Sequence, residues 1–204
     1  MPAAPEHDAA ALAAPDREAR GVATTDLALI ASFAALLAVC SLVAIPVGPS
    51  GAPITLQTFA VILAGAVLGA RRGALAVLLY LAVGFAGLPI FAQGVGGPAT
   101  FGKVTLGYLL AFPVAAFLVG LVVERVSRRG WALRTGLLVV AGLLASVVIY
   151  AIGVPVLAAR IGVSLSEGLV INNAFLPFDA VKVVLAAVVA SSVHRAFPDL
   201  LGRR

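Results

Sequence analysis

Within LPFDAVKVVLAAVVASSVHR (residues 176–195) a carboxylate and an ammonium, Asp179 and Lys182, stand three positions apart in a run that stays apolar almost to its basic end. On a helix that spacing places both groups on one face. A lone charge at mid-membrane costs at least about 2.5–3.5 kcal/mol, so such residues turn toward a protein interior or a cavity. The pair can serve as an internal ion pair that fixes helix packing, or it can line a binding site. An intramembrane ionisable residue favours the second role. Lys182 lies 13 residues before Arg195, or about 20 Å along a helix from the basic inner anchor. The expected site is therefore a polar pocket in the outer third of a membrane, with Pro177 in the first helical turn, where its missing N–H is tolerated.

Other reactive patterns are absent or incomplete. GPATFGK (residues 97–103) approaches a phosphate-binding loop, but Val104 stands where a hydroxyl residue would hold Mg²⁺, and no strand precedes the loop. No H-E-x-x-H, G-x-S-x-G or paired intramembrane carboxylates occur, which weighs against an enzyme. Neither a Cys/His zinc pattern nor a basic helix with interleaved aromatics is present, so no metal, cofactor or nucleic acid is expected. Cys40 stands alone in an apolar run, which suits packing.

The elements that must position the pair are membrane helices. The chain of 204 residues is 62% hydrophobic and 11% charged, whereas soluble domains average about 45–50% apolar and about 25% charged. Six apolar segments, at about 27–45, 54–70, 73–92, 104–123, 135–157 and 170–194, approach the roughly 20 residues needed to cross the hydrocarbon. Gln57 and Thr58 make the second the weakest. Backbone groups in lipid must be satisfied within a segment, and the alternation of a membrane barrel is missing, so the segments are read as helices. The fold expected is an all-α integral membrane protein with six transmembrane helices in one bundle.

Of the Lys and Arg residues outside the spans, eleven fall on one side (Arg17, Arg20, Arg71, Arg72, Arg125, Arg128, Arg129, Arg134, Arg195, Arg203, Arg204) and two on the other (Lys103, Arg160). The positive-inside rule then places both termini in the cytoplasm, which also accounts for the net charge of +5. Residues 1–25, Ala/Pro-rich and of mixed charge without the pattern of a signal peptide, are expected as a flexible cytoplasmic tail. Residues 26–195 form the membrane domain and 196–204 a second tail. The outer loops, residues 46–53 and 92–102, are rich in Gly and Pro and nearly uncharged. They serve either as simple connectors or as a lid over the pocket. Small residues at helical spacing (Ala31 and Ala35, Ala34 and Ala38, Gly65 and Gly69) permit close helix approach and on their own favour internal packing.

The stretch IPVGPSGAPITLQTFAVILAGAVLGARRGALAVLLYLAVGFAGLPIFAQG (residues 45–94) resembles the BioY family, the biotin-specific substrate-binding (S) components of energy-coupling factor (ECF) transporters. The similarity continues through LGYLLAFPVAAFLVGLVVER (residues 106–125) and resumes at FLPFDAVK (175–182), which fits the family pattern F-x-P-x-D-x-x-K. It covers roughly residues 27–195, and PITLQTF (53–59) and the P-x-D-x-x-K block are its specific parts. The resemblance implies six helices in a bacterial cell membrane around a biotin pocket near the outer face. It implies Asp179, Lys182, Gln57 and Tyr108 as substrate contacts, with Gln93 as a further amide. Relatives often read G-P-T-G-G-Y where this chain reads Lys103-Val104-Thr105-Leu106-Gly107-Tyr108. The resemblance also implies that an Ala-xxx-Ala face of the first helix, among Ala31, Ala34, Ala35 and Ala38, docks on a transmembrane coupling subunit driven by two ATPase subunits. Biotin is then the transported ligand, and lipid and the ECF subunits are the partners. Alternatives are an S component for another vitamin, an intramembrane transferase using Lys182 or Asp179 as base, and a channel, which would want several polar spans.

Overall fold

The computed structural model describes residues 15–46 and 51–201. Most of the expected N-terminal tail (residues 1–14), part of the first outer loop (47–50), and Arg203 and Arg204 lie outside the described residues. The fold is mostly helical. Helix α1 (Pro15–Leu42) leads into a short antiparallel ladder of β1 (Ala44–Pro46) and β2 (Pro53–Thr55), paired Ala44 to Thr55 and Pro46 to Pro53. There follow α2 (Gln57–Leu68), α3 (Ala70–Phe85), α4 (Leu106–Val126), α5 (Trp131–Ile161), α6 (Leu165–Asn172) and α7 (Leu176–Ala196). Short 3₁₀ segments at Ala92–Gly94 and Gly97–Gly102 fill the second loop, and a third, Pro198–Leu200, follows α7.

Among the described residues four helices are long and apolar enough to cross a membrane: Thr24–Leu42 within α1, α4, α5 and α7. The second and third expected segments differ. Helix α2 has 12 residues and α3 has 16. At 1.5 Å per residue α2 rises only about 18 Å, against about 30 Å of hydrocarbon. Its composition fits its place, because all but one of its residues are buried and it touches α1, α3, α4, α5 and α7. It is the central post of the bundle, so helices rather than lipid surround it.

Small residues allow that crowding. A Cβ at Gly65 would overlap the Ala116 carbonyl oxygen, and one at Gly120 would overlap the Ala70 nitrogen. The Gly65 expectation of internal packing is therefore met. Gly69, at φ 84°, forms the whole junction between α2 and α3, a backbone that favours glycine.

The apolar segment expected at 170–194 is two helices. Asn172 and Asn173 end α6, and Pro177 sits in the first turn of α7, where a missing N–H interrupts no intrahelical bond. A capping box opens α6, with Ser164 Oγ accepting from the Glu167 backbone N–H and the Glu167 carboxylate accepting from Ser164 N at 2.8 Å. These bonds hold the exposed Glu167 carboxyl below the usual carboxylate range, the Ser164 side chain contributing most.

One end of the bundle is tied by basic side chains. Arg72 donates to Asp26 at 2.9 Å and to the Leu200 carbonyl at 2.7 Å. Arg134, buried at the start of α5, donates to the carbonyls of Ser127 (3.1 Å) and Ser191 (2.7 Å). His194 bonds the Ala66 carbonyl at 2.8 Å. These contacts gather the starts of α3 and α5 with the ends of α2, α4 and α7, so neighbouring helices alternate in direction. The opposite end is left for the loops and the pocket.

Candidate functional site

At that opposite end the short α2 stops below its longer neighbours, and a cavity opens above it. Residues of α2, α4, α5 and α7 and of both outer loops line it. Asp179, Lys182, Gln57, Tyr108 and Gln93, the five residues that the resemblance implies as substrate contacts, line it.

The floor is the ion pair. Lys182 Nζ donates to Asp179 Oδ1 at 2.8 Å, and Tyr150 Oη donates to Asp179 Oδ2 at 2.6 Å. Asp179 and Lys182 are 5% and 7% exposed, so the charges sit in a medium that punishes an unpaired member. Asp179 lies in the first turn of α7, where the helix dipole favours an anion. Each carboxylate oxygen has one protein donor and keeps acceptor capacity, and Lys182 has N–H groups left to give.

Gln57, the first residue of α2, is held on both sides of its amide. Its Nε2 donates to Tyr80 Oη at 2.7 Å, and its Oε1 accepts from Thr55 Oγ1 at 2.9 Å. Thr55 is placed by the β1–β2 ladder. Tyr80 donates in turn to the Ile90 carbonyl at 3.3 Å and meets Phe91 edge to face, with centroids 5.2 Å apart. Tyr108 in α4 donates to Asn172 Oδ1 at 3.0 Å, and its ring lies against Gly153, where a Cβ would overlap it. Phe91, Phe112 and Ile149 add apolar wall.

Both outer loops reach the cavity. Gly51, Ala52 and Pro53 come from the first, and Phe91 through Gln93 with Val95 from the second. Gln93 has φ 63° and ψ 23°, a left-handed conformation uncommon for a side-chain-bearing residue and one that gathers at ligand sites. The Phe91–Val95 bridge closes this turn, with Phe91 N donating to Val95 O at 2.9 Å. The loops are thus part of the site's wall.

Sequence reasoning missed Tyr150, Thr55 and Asn172. A signal existed for Tyr150, since a phenol inside an apolar segment must find a partner for its O–H. Thr55 and Asn172 carry none, because their roles depend on the ladder and on the α6–α7 break.

The four alanines of α1 are also sorted. Ala34 is buried against the core, Ala38 is half-buried, and Ala31 and Ala35 are exposed. Together they line an apolar groove whose far wall includes Leu79, Tyr80 and Val83 of α3.

Fold and site define a multi-pass helical membrane protein with a cavity of mixed polar and apolar lining among its helices. The chain is 37% identical to biotin transporter BioY of Rhizobium etli, over 89% of this chain and all of that one. It is 41% identical to biotin transporter BioY of Rhodobacter capsulatus, over 86% of this chain and 96% of that one. A crystal structure of the S component for biotin from an ECF-type ABC transporter matches with a TM-score of 0.77 at 27% identity, covering 84% of this chain and 92% of that one. The chain belongs to the BioY family, which it matches over residues 13–199. These relatives are named as transporters and not as enzymes, and the transferase alternative has no counterpart among them.

Proposed function

We propose that this chain is a membrane subunit that binds biotin and mediates its uptake. The observation that carries the reading is the buried Asp179–Lys182–Tyr150 cluster at the floor of a cavity with polar and aromatic lining, in a chain of this family. Biotin offers two ureido N–H donors, a ureido carbonyl and, on a valeryl arm, a carboxylate. The spare acceptor sites of Asp179 suit the ureido N–H groups, and Lys182 suits the carbonyl. Gln57, Tyr108 and Gln93 complete the polar contacts, and the aromatic walls hold the thioether ring.

Six helices cross the plasma membrane of a bacterial cell in this reading, with α2 inside the collar of the others and α3 presenting Leu75 and Leu78 outward. Both termini face the cytoplasm, as the eleven-to-two distribution of Lys and Arg implies, and the pocket opens near the outer surface. A transmembrane coupling subunit and two ATPase subunits energise uptake. The exposed Ala31 and Ala35 form the docking face toward the coupling subunit, while Ala34 belongs to the core.

The deciding experiment is calorimetric titration of the purified protein with a panel of vitamins. Biotin is expected to bind tightly, desthiobiotin, which keeps the ureido group, to compete, and the other vitamins to give no heat. Tight binding of a different vitamin without biotin binding would overturn the assignment.

A further inference from the structure

The cavity has a third charged lining residue, and it sits at the other end. Lys103 follows the 3₁₀ segment Gly97–Gly102 and lines the cavity, yet it is exposed where Asp179 and Lys182 are buried. It therefore stands at the rim and they form the floor. The backbone that carries it is anchored. Lys103 N donates to the Thr100 carbonyl at 3.1 Å, Arg160 of α5 donates to the Phe101 carbonyl at 2.7 Å, and Phe101 stacks on Phe85 with centroids 5.0 Å apart. Among the described residues Lys103 has no ion-pair partner.

The charge balance then assigns the two lysines different work. Lys182 is neutralised by Asp179 at 2.8 Å, so the floor has no net charge and suits a neutral hydrogen-bonding head. Lys103 leaves the lining of the cavity with one uncompensated positive charge, at the mouth. An elongated monoanion with a neutral polar head and a terminal carboxylate matches that pattern end for end. We propose that Lys103 is a specificity-determining residue that pairs with the carboxylate of the bound ligand and so sets the direction in which the ligand lies. The proposal rests on the biotin reading above and deepens it.

The test compares biotin with biotin amide, which keeps the head and loses the charge, on the wild type, Lys103→Met, Lys103→Glu, Lys103→Arg and Asp179→Asn. An exposed ion pair is weak, so Lys103→Met is expected to lower biotin affinity about two- to fivefold. Lys103→Glu should lower it further, Lys103→Arg should retain it, and all three should bind biotin amide as the wild type does. Raising salt should weaken biotin binding to the wild type and leave Lys103→Met unaffected. Asp179→Asn should weaken both ligands alike. Equal loss of biotin and biotin amide in the Lys103 variants would make the residue a shaper of the rim. Unchanged biotin affinity in both Lys103→Met and Lys103→Glu would leave it facing solvent or a lipid headgroup. Either result overturns the proposal while the biotin reading stands; a wild type that binds neither ligand would sink both.

Discussion

The ion pair at the floor of the pocket makes a prediction in which stability and binding separate. In Lys182→Met the Asp179 carboxylate, 5% exposed, keeps only the Tyr150 hydroxyl as donor. Breaking a buried pair by removing one member costs about 3–5 kcal/mol, because the remaining charge stays buried. For a chain of this size about 1 kcal/mol moves the melting temperature by about 2–4 °C, so the ligand-free variant should melt about 6–20 °C lower. Asp179→Asn should cost less, since the Asn carbonyl still accepts from Lys182. The double variant Asp179→Asn/Lys182→Met buries no charge, and replacing a buried pair by neutral groups is often nearly neutral. Its melting temperature should return to within a few degrees of wild type. Binding should not return. On the proposed biotin contacts all three variants lose charge-assisted bonds, worth about 1.5–3 kcal/mol each, so each should bind biotin at least about tenfold more weakly. The assays are melting followed by size-exclusion chromatography without biotin, since bound ligand would itself stabilise the fold, and calorimetric titration. A Lys182→Met protein that melts like wild type, or a double variant that binds like wild type, would refute the reasoning.

Two further outcomes are expected. Ala35→Trp should leave biotin binding near normal and impair uptake when the coupling and ATPase subunits are co-expressed, while Ala34→Trp, which overpacks a buried site, should cost about 1–3 kcal/mol of stability and weaken binding too. If Ala35→Trp lost binding and Ala34→Trp did not, the two faces of α1 would have to be exchanged. In a Cys40→Ala background, an impermeant thiol reagent added to whole cells should label Ala99→Cys and spare Arg129→Cys; the reverse pattern would invert the topology.

The parts of the architecture legible in the sequence are those in which one physical cost dominates. Long apolar runs such as residues 106–126 read as helices, because lipid offers no partner to an open backbone and the alternation of a barrel strand is missing. A carboxylate and an ammonium at 179 and 182 stand out because charge in oil is costly wherever it occurs. Where several small terms compete, the sequence is less explicit. Val170 and Ile171 merge with the apolar run from Ala174 onward into one segment of spanning length, which hides the break at Asn172 and Asn173. The β1–β2 ladder went unseen because Gly and Pro dominate that loop and only three residues on each side pair. Tyr150 reads as bulk until its hydroxyl is found on Asp179. The four alanines share one spacing pattern, and only the packing of α1 on α3 distinguishes the exposed Ala31 and Ala35 from the buried Ala34.

The shortness of α2 bears on how the protein is made. A helix that rises about 18 Å and carries Gln57 and Thr58 at its head is a poor candidate for lone insertion by the translocation machinery. Gly69 alone separates it from α3, so the two form a single helical hairpin with Arg71 and Arg72 at its bend. Even that hairpin gains its full environment only when α4 and α7 have been synthesised, because Gly65 packs on Ala116 and Ala66 on His194. Without α7 one side of the under-length α2 would be left uncovered. The last helix therefore completes the surroundings of α2 and also brings the floor of the pocket.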